Sequence, residues 1–192
     1  MKKRLSKAES LSFLKKQKKI PIQIPNFIYL SKRDFLRDNH SFLLKIKKKF
    51  TYKKIILRSS SGSEDLHYKS NAGKFKSFGN INAKDKNKIL NKTNEIIEDF
   101  ESLNDQILVQ EFIEKPVVSG VIFTRNINNN SPYCTINYDT SGKTNLITSG
   151  NMNPTMKTLS IFRENLEDFK FFGKKLKFIF DFERIYKNER LH

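Results

Sequence analysis

The sequence predicts an α+β fold, and three observations carry that prediction. Apolar runs of strand length recur: Ile55-Ile56-Leu57, QILVQEF at 106–112 and VVSGVIFTR at 117–125. Apolar residues at helical spacing (Ile89, Ile96, Phe100 and Leu103) run through 85–103, the strongest helical pattern in the chain. Asp139-Thr140-Ser141-Gly142, set between two strand-like runs, is a hairpin signal.

The elements follow in order. Ser6–Gln17 reads as a helix, because Ser6 and Glu9 form an S-x-x-E capping box and Leu11, Phe13 and Leu14 give an apolar side. Ile20–Leu30 contains Pro21 and Pro25 and alternates, which suits an extended segment or an edge strand. Ser31 can cap a short helix through Phe35 and Leu36. Ser41–Lys49 is a further helix with Phe42, Leu43 and Ile46 inward. A strand starts at Ile55. Lys74–Ile81 is another, with Phe75 and Phe78 partly buried. After the 85–103 helix come strands Gln106–Phe112 and Val117–Arg125, joined by a turn at Ile113–Pro116. Asn126–Pro132 is a turn by composition. Tyr133–Tyr138 and Asn145–Ser149 pair as a hairpin. Leu159–Phe182 is helix-prone and rich in phenylalanine, and Gly173 divides it.

Composition narrows the function classes. At 192 residues the chain suffices for one domain or two small subdomains. It has no apolar run long enough for a membrane span and no signal peptide, so a cytoplasmic location is expected. One cysteine, Cys134, excludes an internal disulfide and a cysteine-rich metal site. The net charge of +17, from 37 Lys and Arg against 20 Asp and Glu, points to a polyanion or to compositional drift. No nucleic-acid motif accompanies the charge, so drift is the favoured source and nucleic acid is not an expected partner.

One stretch carries chemistry. The apolar run at Ile55 ends on Arg58, an always-charged donor suited to phosphate. A loop of hydroxyls and glycine follows, then Glu64-Asp65 and, eight residues later, Gly73. A strand delivering an arginine into such a loop suits a phosphate-handling edge. On residue types alone, a serine loop with a solvated arginine is an equal alternative. Lys7 sits at the first helical position, where the helix dipole disfavours a cation. It either points into water or reaches an anion held there.

RSSSGSED followed by NAG resembles a signature of the ATP-grasp nucleotide-binding domain of phosphoenolpyruvate synthases, pyruvate phosphate dikinases and related phosphotransferases. VQEFIEKPVVSGVIFTR resembles the same family's strand pair, and SKAESLSFL its opening helix, without the two glycines that precede the family's lysine. The resemblance implies an ATP-grasp-like fold with a mixed or antiparallel sheet and flanking helices, incomplete at its C-terminus. It implies a first subdomain at 1–104 with the phosphate-binding strand and loop, and a partial second at 105–192 with the adenine hinge and a hairpin. Lys7, Arg58, Gly73 and Ser77 would bind the ATP phosphates. Gln110, Glu111, Phe112 and Ile113 would seat adenine.

The resemblance stops at Asp181-Phe182-Glu183, where the family has a helix like Lys174–Phe180 and then an acidic strand that helps ligate magnesium. His40, His67 and His192 lie outside any context like that family's phosphohistidine loop. The expectation is therefore an ATP-binding piece with no catalytic residue of its own. Mg2+ ligands and the histidine would lie outside the chain, in a missing segment or on a second polypeptide. The alternatives are a non-catalytic basic module for nucleic acid or anionic surfaces, and a degenerate gene fragment.

Overall fold

A computed structural model describes residues 5–17, 21–61, 76–126, 128–142 and 155–188. The chain has a mixed α+β fold with antiparallel sheets and flanking helices. It divides into two compact units, and the division falls after Phe112.

The first unit opens with helix α1, Lys7–Lys16. Its capping box forms as the S-x-x-E pattern predicts: the Glu9 N–H donates to Ser6 Oγ, and the Ser6 N–H donates to the Glu9 carboxylate. Strand β1 is Phe27–Ser31. Ser31 then caps the short α2, Lys32–Arg37, and Asp38 caps α3, Asn39–Lys49. Strands β2, Lys54–Ser60, and β3, Ser77–Asn82, precede α4, Lys86–Glu98, and β4, Gln106–Glu111. The strands form one antiparallel sheet in the order β1-β4-β2-β3. β1 is an edge, and Pro21 and Pro25 lie in the segment that leads into it. Ile55 and Leu57 of β2, Ile107 and Val109 of β4 and Ile81 of β3 share one face. They pack with Phe42 and Ile46 of α3 and with Ile89, Ile96 and Ile97 of α4.

Helix α4 is shorter than the periodicity predicts. It ends at Glu98, with Asp99 as cap, instead of reaching Leu103. Phe100 stays buried, but Leu103 is exposed. The next turn offers the backbone a better partner: the Asp105 carboxylate accepts from the Ser102 N–H at 3.0 Å. Lys32 Nζ reaches the helix end and donates to the carbonyls of Ile97 and Phe100.

The second unit holds an antiparallel sheet, β5-β6-β7, of Ser119–Phe123, Tyr133–Asp139 and Lys157–Phe162. Two predictions need correction here. Leu159–Phe162 is strand, not helix, and pairs with β6. Short apolar runs fit either period, and the ladder with β6 decides it. Gly173 separates two strands, not two helical pieces. Phe172 and Gly173, both at positive φ, form the tip between β8, Lys170–Phe171, and β9, Lys174–Lys175. Helix α5, Phe178–Asn188, follows, so Asp181 and Glu183 lie in a helix. Arg163, next to β7, holds Glu183 through two nitrogens at 2.8 and 2.6 Å and also donates to the Thr124 carbonyl. The expected strand at Asn145–Ser149 lies outside the described residues. No helix among the described residues is long and apolar enough to cross a membrane.

Candidate functional site

Strand alternation sets the site. In β2, Ile55, Leu57 and Ser59 turn to the core, so Ile56, Arg58 and Ser60 share the opposite face. Arg58 stands opposite Ser77 on β3 and Leu108 on β4. Antiparallel partners project to the same side, so Arg58 and Ser77 are neighbours on one face. Arg58 Nε is buried and has no hydrogen-bond partner among the described residues. A buried guanidinium N–H left unpaired is costly, and an anionic oxygen would satisfy it.

Helix α1 begins on that same face. The Ala8 N–H donates to Ser60 Oγ at 2.9 Å, and Ser6 Oγ donates to Gln106 Oε1 at 2.7 Å. Ser60 and Gln106 are register partners at the end of β2 and β4. Lys15, in the last turn, lies over the Phe27 ring at 5.3 Å, so α1 runs over the sheet towards β1. Lys7 thus starts a helix docked two strand positions beyond Arg58, a rise of about 7 Å.

The serines serve differently from the expectation of a hydroxyl loop open to phosphate. Ser60 is wholly buried and holds α1, while Ser61 Oγ donates to the Asp105 carboxylate at 2.6 Å. Ser59 Oγ, on the core side, is buried with no hydrogen-bond partner among the described residues. Sequence reasoning missed these roles for Ser60 and Ser61. Their partners lie far along the chain, and no local pattern marks them. Gly73 lies outside the described residues.

The four expected adenine positions separate. Gln110 stands opposite Ile56 and Phe27 and so shares the face of Arg58, two positions along β4 from the arginine's partner. Glu111 turns the other way. Its carboxylate accepts from Lys53 Nζ at 2.6 Å and Asn26 Nδ2 at 3.2 Å, and the Lys53 hydrogen bond leads in holding it below the usual carboxylate range. The N–H of Glu111 donates to the Asn26 carbonyl and that of Phe112 to the Lys54 carbonyl. Two backbone donors of the expected hinge are therefore committed to the sheet. The Phe112 ring covers Gly79, where an added Cβ would meet it at 2.7 Å. Ile113 is exposed and opens the second unit.

The structure brings Lys7, Arg58, Ser77 and Gln110 to one face of the first sheet. Its groups are cationic and hydrogen-bonding, suited to binding an anion and offering no nucleophile. Among the described residues, no three His, Cys, Asp or Glu side chains are grouped to hold a metal ion. The one thiol, Cys134, is buried in the second unit, and burial pushes its pKa up, which leaves it inert. The chain matches no protein-family model and no curated protein.

Proposed function

We propose that the chain binds ATP as the nucleotide-binding portion of a phosphoenolpyruvate-synthase-like phosphotransferase of the ATP-grasp type. Such an enzyme transfers a phosphoryl group from ATP through a phosphohistidine to a small acceptor. In this reading Arg58 takes a phosphate oxygen through its buried Nε, Lys7 adds charge from the start of α1, and Ser77 donates from the neighbouring strand. The resemblance alone gives Gly73 a phosphate-binding part, since it lies outside the described residues. Gln110 lies on the adenine side with Phe112, while Glu111 and Ile113 bound the hinge. No metal-holding group lies among the described residues, so protein ligands for a nucleotide-bound Mg2+, like the phosphohistidine, would come from a separate segment or a second polypeptide. The metal supplies charge neutralisation at the phosphates.

The observation that carries this reading is the unpartnered, buried Arg58 Nε on the sheet face where α1 starts. The test is ATP binding by titration calorimetry with the wild-type chain and Arg58→Ala, both checked for folding by circular dichroism. A charge-assisted contact to phosphate is worth roughly 1.5–3 kcal/mol, so affinity should fall about ten-fold or more. Equal ATP affinity in the two proteins, or none in the wild type, would overturn the reading.

A further inference from the structure

The strongest charge run in the chain is KIKKKFTYKK at 45–54, six lysines in ten residues with no acid. In sequence it could be a solvated face. The fold gives it a partner segment, Lys84-Asp85-Lys86, which meets it at a cavity of about 380 Å³. Leu43 and Phe50 give the cavity apolar lining, and Lys47, Lys84 and Lys86 give it positive charge. Tyr52 stands at its edge, 83% exposed. Its backbone is left-handed, with φ of 62°, a strained conformation for a bulky side chain. Lys84 Nζ lies 3.8 Å from the Tyr52 ring centroid. No acid lines the cavity among the described residues; Asp85, between Lys84 and Lys86, accepts from the Lys88 N–H as the cap of α4, and Glu111 holds Lys53.

We propose that this cavity is a contact surface for single-stranded nucleic acid, separate from the nucleotide site at Arg58. An exposed aromatic ring beside a basic groove is what a single strand requires: a base stacks on the ring while the lysines follow the phosphates. The cavity lies in the range that accepts small flat ligands, roughly 300–1,000 Å³. An anionic membrane would instead require a protruding amphipathic face with its apolar side chains outward. Here Leu43 and the fully buried Phe50 line a concavity, and of the apolar residues of α3 only Leu44, 52% exposed, turns outward, one residue and not a face.

The experiment is fluorescence anisotropy of a labelled oligouridylate of about twenty nucleotides, long enough to fill one site, with the full chain over a salt series. The expected result is binding whose affinity falls by about 0.7 log units per tenfold rise in salt for each phosphate contacted. Lys84→Glu with Lys86→Glu should lower affinity at least ten-fold and flatten the salt slope. Tyr52→Ala should lower it about five-fold with the slope unchanged. Lys174→Glu with Lys177→Glu, an equal charge change at exposed positions of the second unit, should lower it by less than half as much on a logarithmic scale. No oligouridylate binding at low salt would overturn the proposal. So would equal losses in the two double variants, or the Tyr52 and Lys84 variants weakening binding to phosphatidylserine vesicles while leaving the oligouridylate unaffected.

Discussion

Arg58 on β2 and Glu111 on the neighbouring β4 meet opposite fates. Strand alternation turns Arg58 away from the core with its Nε unpaired, whereas Glu111 is gripped by Lys53 and Asn26. The carboxyl of Glu111 is held below its ordinary range, so its interaction stabilises the fold above the unfolded-state pKa of about 4.3. That stability is lost as pH falls through the folded value. Thermal melts of wild type and Glu111→Gln should therefore differ at pH 7 and converge on acidification. A difference that widens towards pH 3 would contradict this. The apolar run at Ile55 predicts a strand that ends on Arg58; β2 instead runs on to Ser60, because the ladder with β4 continues through Ser59–Ile107 and Ser60–Gln106. The burial of Ser60 and Ser61 was not, because their partners Ala8 and Asp105 lie 52 and 44 residues away.

Among the elements, helices with a local start signal were read best. Ser6, Ser31 and Asp85 each cap a helix where the sequence places one. The end of α4 depended on Asp105 and Lys32, which no helical period reveals. In β5, Gly120 stands opposite Tyr138, and a Cβ there would lie 2.7 Å from the Asn137 carbonyl oxygen. That oxygen is backbone and cannot swing aside, so Gly120→Ala should destabilise by about 1–3 kcal/mol, measured by urea denaturation. The β7–α5 link is the nearly buried pair Arg163–Glu183, with the guanidinium 5.0 Å from the Phe180 ring centroid. Arg163→Met alone strands the carboxylate and should cost roughly 3–5 kcal/mol. Adding Glu183→Leu should restore most of that loss. A double variant no more stable than the single one would show that the pair is not held by its charges.

For the molecule as a whole, the net charge of +17 is the dominant long-range feature. Like charges repel in the compact state, and salt screens them, the Debye length falling from about 30 Å at 0.01 M to about 8 Å at 0.15 M. The melting temperature should rise over that range of sodium chloride. A fall would mean that the exposed ion pairs, such as Lys76–Asp99 and Lys92–Glu95, outweigh the repulsion. The division after Phe112 also belongs to this scale. It leaves β4 at the centre of the first unit's sheet, between β1 and β2.

The sequence by itself determined the α+β class, the capped helices and the existence of the strand that carries Arg58. These depend on period, capping chemistry and turn residues, all of which act within a few positions. Only the tertiary structure decided that Leu159–Phe162 joins a sheet, that two serines anchor a helix and a turn, and that lysines from two segments share one cavity. Each of these depends on which distant groups come within bonding distance. That is a property of chain topology and packing, to which local pattern is blind.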